Sequence, residues 1–318
     1  GIIMLRWIAK NSTIVMPALC VLGMLLPNLS AMVLKTLPAI LFFLMFFTLL
    51  GLDERKLLRN MALPKTWRFA VMQTAGMTLI ATGVAWLCGA RGDLLLAIAA
   101  ISVTAPLFGS GALVNALGFD ALEAMAMTIA ATLLMPVILL GVLTLLASDG
   151  ATVDFAMYGR RLAVYVIAPM ILAAVARRTL PQHWLQTAYP LVARYNIILL
   201  MAFPLGLVGG FRRELDQDLG TGILLFVIAV ALVVLYYFGM YLLYRKKGLE
   251  EYITASLISG GRNLMLTYSI ALPFLGTMFL PLVGAAQLPM FSLSWVARRM
   301  IARHQQIHGA KPTVMLDQ

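Results

Sequence analysis

The chain reads as a succession of unbroken apolar runs, most of them roughly 17 to 25 residues long, the length an α-helix needs to cross a bilayer's hydrocarbon core. They fall at 11–27, 33–52, 69–90, 94–117, 121–147, 162–176, 191–210 and 221–244, followed by a ninth containing 254–268 and a tenth at 278–296. A membrane β-barrel would instead show short segments alternating apolar and polar residues, which this pattern excludes. The prediction is an all-α membrane protein of ten transmembrane helices. Polar connections are expected at 53–68, 91–93, 148–154 and 211–220, with a polar tail from His304 onward.

Composition agrees, since 62% of residues are hydrophobic and only 12% are charged. Cys20 and Cys88 lie inside apolar runs without metal-type spacing, so neither a disulfide framework nor a zinc site is implied. No signal-peptide cleavage pattern precedes the first run, which is expected to be a retained helix, with Met4 read as the natural start. Residues 1–303 form one transmembrane unit and 304–318 a cytoplasmic tail in this reading.

Basic residues set the orientation, because lysine and arginine near helix ends are retained on the cytoplasmic side. Arg55, Lys56, Arg59, Lys65, Arg68, Arg177, Arg178, Arg245, Lys246, Lys247, Arg298 and Arg299 all fall on one side if both termini are cytoplasmic. The other side holds Lys35, Arg91, Arg160, Arg161, Arg212 and Arg213. The net charge of +11 is thereby assigned to topology and anionic lipid rather than to nucleic acid. An inner, plasma-type membrane is the expected location.

Two runs are interrupted in the middle. The fourth contains Thr104-Ala105-Pro106-Leu107-Phe108-Gly109-Ser110-Gly111, and the ninth contains Ser259-Gly260-Gly261-Arg262-Asn263. They are five helices apart, so a five-plus-five inverted repeat, 11–147 and 162–296, sets them in corresponding positions, the pattern of a transporter site built from discontinuous helices. Freed backbone amides and half-helix N-termini suit an anion at such a depth. The competing reading is that the glycines only let helices pack closely.

The ninth run, ASLISGGRNLMLTYSIALP, with AAQLPMF at 285–291, RLAVYVIAPMILAAVARR at 161–178 and the break at Pro106, resembles the bile acid:sodium symporter family, a group of ten-helix secondary transporters. The resemblance implies a core domain with crossed helices four and nine, a panel domain, and organic-anion transport coupled to sodium. It also implies sodium ligands, and here the sequence departs. Gly260 and Asn263 match the family pattern in helix nine, but Ile258 stands at the acidic position and Arg262 at the glutamine. The helix-four Ser-Asn pair falls on Gly111 and Ala112, only Thr128 of the helix-five hydroxyls is kept, with Ala124 at the other, and Gln73 matches a glutamine of the second sodium site. Too few hard oxygen ligands survive for sodium, and no cofactor is expected.

Arg262 supplies a fixed positive charge where relatives bind ions, and its planar fork matches a carboxylate, sulfonate or phosphate. A small organic anion bound without obligatory sodium is therefore the expected cargo. The alternatives are that Arg262 pairs internally with Glu123 or Asp120, that sodium binds a rearranged site, or that the protein is channel-like and transports nothing. Gly260, Gly261, Arg262, Asn263 and Thr267 from run nine, with Ser110, Gly111 and Asn115 from run four, are the candidate substrate residues. Gln73, Thr128 and Glu123 are the candidate ion or coupling residues. No Ser-His, paired-Asp or His-Glu-x-x-His constellation lies within the runs, so an enzyme is not expected. The twenty methionines are read as packing residues, and hinges are expected near 149–154 and beside Pro181.

Overall fold

The computed structural model describes residues 2–147 and 152–309. Among them helix is the only regular secondary structure, with short connections and one isolated backbone bridge between Pro106 and Arg262. It opens with α1 (Ile2–Lys10), α2 (Ser12–Leu25) and α3 (Pro27–Leu50), followed by the amphipathic α4 (Glu54–Met61). Next come α5 (Pro64–Val71) and α6 (Met77–Leu87), joined into one helical stretch by a π-helical turn at Met72–Gly76. The first interrupted run forms α7 (Gly92–Ser102) and α8 (Ser110–Ala116), and α9 (Ala121–Leu146) follows.

The second half begins with α10 (Phe155–Leu162) and α11 (Ala168–Thr179), again joined by a π turn, then α12 (Gln182–Leu207) and α13 (Gly209–Gln217). It continues through α14 (Leu219–Tyr244), the second interrupted run as α15 (Leu249–Gly260) and α16 (Leu264–Ala271), and finally α17 (Phe279–Phe291) and α18 (Leu293–His308).

Among the described residues, seven helical stretches are long and apolar enough to cross a membrane. Three further apolar helices, Ser12–Leu25, Gly92–Ser102 and Leu264–Phe274, are shorter. Two of these belong to the runs whose interruptions were expected. Large apolar side chains such as Leu79, Leu87, Val137 and Leu145 point outward, as hydrocarbon rather than water permits.

Several connections expected as loops are helical. The segment 53–68 contains α4 and the start of α5, because Asp53 caps α4 through the amides of Arg55 and Lys56 and Pro64 opens α5 at its first position. The segment 211–220 lies largely in α13, and the helix containing the tenth run continues through His304 to His308. In each case polar residues follow helical spacing on the solvent side of an element anchored by a few apolar residues, and hydropathy alone misreads them as loop. The expected hinge residues 149–151 and the tail residues 310–318 lie outside the described residues, while Pro181 is the N-cap of α12.

Two sets of helices can be distinguished by their packing. In one, α3 packs on α11 and α12, and α2 packs on α12. In the other, α9 packs on α5, α7 and α8, and α14 packs on α15 and α17. The sets meet chiefly where α17 lies against α2, α12 and α13 and where α16 lies against α3 and α10. At that seam an added Cβ on Gly284 would sit 2.8 Å from both the Leu207 carbonyl oxygen and the Phe211 amide, so the backbones approach as closely as glycine allows.

Candidate functional site

The two interrupted runs cross in extended conformation. Pro106 offers no amide to continue α7 and pushes Ala105 out of the helical region, which accounts for the first break. In the second, Gly261 is extended, and the glycines supply room: a Cβ on Gly260 would lie 2.2 Å from Leu293 Cδ1. The exposed edges then satisfy each other, since the Leu107 amide donates to the Gly261 carbonyl and the Asn263 amide to the Ala105 carbonyl, both at 2.8 Å. This pairing answers the demand that unwound backbone inside an apolar bundle find partners.

Arg262 is centred in that crossing and is 1% exposed. Its Nη1 donates to the main-chain carbonyls of Gln73 and Thr104, each at 3.1 Å, and to that of Ser102. Two of these carbonyls lie at the C-terminal end of α7, the negative pole of a half-helix, and the third belongs to the π turn. The guanidinium carbon sits 3.7 Å from the centroid of the Tyr236 ring, whose hydroxyl meets Ser102 Oγ at 2.6 Å. A buried cation is thus held by carbonyl dipoles and an aromatic face.

The other edge of the guanidinium is unused. Nε and Nη2, the parallel pair that engages a carboxylate side-on, are both buried without a hydrogen-bond partner among the described residues. Beside Arg262 lies a space of only about 10 Å³, lined by Ile101, Tyr236, Leu264 and Met290 among others, which is room for about one water molecule. Gln73 donates through Nε2 to the Thr104 carbonyl at 3.0 Å, while its Oε1 and Asn263 Nδ2 remain buried and unpartnered. The expected alternative pairing of Arg262 with Glu123 or Asp120 does not occur. Glu123 Oε1 lies 3.1 Å from Lys65 Nζ, and Asp120 caps α9 through the Leu122 amide.

Of the residues singled out by sequence, Gln73, Gly260, Gly261, Arg262, Asn263 and Thr267 gather at the crossing, the last through a 2.6 Å contact between its hydroxyl and that of Thr104. The others do not. Ser110 Oγ pairs with Thr128 Oγ1 at 2.8 Å and ties α8 to α9, one of the ordinary uses of a hydroxyl in such a helix. Gly111 packs against Met125, where an added Cβ would come within 2.8 Å of its side chain. Asn115 is exposed on α8. Glu123 lies twelve residues before Met135, which touches the crossing, a helical rise of about 18 Å. A shared cavity formed by all these side chains is therefore not what the structure shows.

Sequence reasoning passed over Ser102, Tyr236 and two methionines. Met135 Sδ accepts from the Ala105 amide, and Met290 Sδ accepts from the Arg262 amide, both at 3.3 Å. Thioether sulfur is a weak acceptor, but here it meets amides that no helix satisfies. The signal that could have found them is in the chain: Ala130-Ala131-Thr132-Leu133-Leu134-Met135 and Ala285-Ala286-Gln287-Leu288-Pro289-Met290 share the pattern Ala-Ala-x-Leu-x-Met. Compared with known proteins, the chain matches no family model and no curated sequence.

Proposed function

We propose that this chain is a secondary active transporter of a small organic anion, working by alternating access, with Arg262 as the anion-recognising cation. The observation that carries the proposal is the free Nε and Nη2 edge of a fully buried arginine, set where two interrupted helices cross. A buried charge whose remaining donors are unpaired is unfavourable unless something completes it, and an oxyanion has the matching geometry. The space beside it admits only about one water molecule, so an organic anion reaches that edge only if the surrounding helices separate.

Ten spans follow when the seven long apolar helices are taken together with the three shorter ones. A five-plus-five inverted repeat is supported by the twin Ala-Ala-x-Leu-x-Met segments, each of which sends a methionine sulfur to a backbone amide of one break, although the two amides are one position out of register. The set containing the crossing would be the moving core, the set built on α3, α11 and α12 the panel, and the α17 seam the sliding surface. The resemblance to bile acid:sodium symporters favours the same architecture. Nη1 of Arg262 already fills a cluster of three carbonyls of the kind that would ligate a monovalent cation, so coupling does not require sodium. The distribution of lysine and arginine supports a cytoplasmic location for both termini.

The test is uptake of a panel of carboxylates and sulfonates into proteoliposomes, with and without sodium, alongside thermal stabilisation of the purified protein by the same compounds. Saturable uptake and stabilisation by at least one anion, unchanged by sodium, is the expected result. Strict sodium dependence would remove the coupling argument, and no uptake of any anion would remove the transport reading.

A further inference from the structure

A second cavity lies away from the crossing, at the corner where α3 ends, α4 begins and α11 turns into α12. It encloses about 860 Å³, and its lining includes Arg55, Arg177, Arg178, Gln186, Tyr189 and Leu58. Asp53 and Glu54 are the acidic residues in that lining, and Asp53 is already committed to the amides that open α4. Glu54 therefore serves two guanidiniums alone, 2.7 Å from Arg178 Nη2 and 3.8 Å from Arg177 Nε. Arg177 is fixed in place by donating Nη1 to the Leu49 carbonyl, and its buried Nε makes no hydrogen bond. Three arginines thus converge on a space with one shared carboxylate.

The position of this corner narrows the class of ligand. Two membrane-spanning stretches, Pro27–Leu50 and Phe155–Thr179, end there, and α4 and the start of α5 beside it carry Arg55, Lys56, Arg59 and Lys65. Ile171 and Val175 lie seven and three residues before Arg178, hence on the same face of α11, and both are more than half exposed. A charged head therefore stands directly above an uncovered apolar stripe. We propose that this corner binds an anionic phospholipid, with its phosphodiester among Arg55, Arg177 and Arg178 and an acyl chain along Ile171 and Val175. Basic pockets at the ends of transmembrane helices suit such headgroups, and Glu54 competes with the phosphodiester for the same guanidiniums.

Binding is measured on the purified full chain by native mass spectrometry and by thermal stabilisation, using phosphatidylglycerol, phosphatidylcholine and inorganic phosphate as separate probes. Phosphatidylglycerol is expected to bind and stabilise, and the other two are not. Arg178→Gln should weaken phosphatidylglycerol binding about fivefold, the worth of one basic residue at an anionic surface. Glu54→Gln should strengthen it, because the competing carboxylate is gone. Should Arg178→Gln fail to fold, Arg55→Gln, at an exposed position, carries the same expectation. Equal binding of both lipids, or weaker binding by Glu54→Gln, overturns the proposal. Equal stabilisation by inorganic phosphate overturns the lipid assignment in favour of a soluble phosphate.

Discussion

Arg262 combines two tasks on opposite edges of one guanidinium, and two substitutions separate them. In Arg262→Gln the carbonyls of Gln73 and Ser102 lose the Nη1 donor, while the Thr104 carbonyl keeps Gln73 Nε2. Each newly orphaned buried acceptor costs about 1–3 kcal/mol, and loss of the Tyr236 contact adds up to about 2 kcal/mol. Removing a desolvated charge and two unpaired nitrogens offsets part of this, and one amide donor can be restored. The net expectation is a loss of about 2–4 kcal/mol, read as a lower midpoint of thermal unfolding in detergent.

Arg262→Lys keeps the charge and offers three donors to the same three carbonyls, so its stability should fall within about 1 kcal/mol of the parent. Lysine has no parallel pair of N–H groups for an oxyanion. Each hydrogen bond to a charged group is worth about 1.5–3 kcal/mol, so anion affinity should fall about 10- to 100-fold. Parent-like anion uptake by Arg262→Lys would refute the role of the free edge. Parent-like stability of Arg262→Gln would refute the carbonyl-capping role.

Met135→Leu and Met290→Leu should each destabilise by about 1 kcal/mol, because each leaves one buried amide unpaired; an unchanged midpoint of thermal unfolding in either variant would refute its sulfur as an acceptor. Gly284→Ala drives a methyl group into the Leu207 and Phe211 backbones and should cost about 1–3 kcal/mol as well as slow transport, whereas Gly83→Ala, with open space around it, should do neither. Lys65→Met leaves the nearly buried Glu123 facing Glu251 without its cation and should destabilise more than Glu123→Gln, a ranking that chemical denaturation can check. Hydrogen bonds from Thr221, and then from the Gly220 amide, hold the exposed Asp218 carboxyl below its usual value. A depressed native value means that its contribution to the start of α14 is complete above the ordinary carboxylate range and lost as pH falls through the native one. Protection of the Gly220 and Thr221 amides, taken relative to their intrinsic exchange rate at each pH, should therefore fall on acidification, and Asp218→Asn should remove that dependence.

The run of apolar residues was enough to determine the class of this protein, because a helix must satisfy its own backbone wherever water is absent, and length and hydropathy report that requirement directly. It was also enough to locate both interruptions, since Pro106 and Gly260-Gly261 mark them by local chemistry. Helical character at 54–61, 64–68 and 211–217 was not legible, because caps and a few anchoring apolar residues outweighed the polar composition. The partners of Arg262 were beyond reach for a different reason. They are main-chain carbonyls at Gln73, Ser102 and Thr104, a property of every residue and thus invisible in any pattern of side chains. Glu123 looked like a counter-ion because it carries the right charge, yet the helical rise between it and the crossing places it with Lys65 instead. Residue type decides which groups need a partner; only the packing of distant helices decides which partner each one meets, and so which edge of Arg262 is left open.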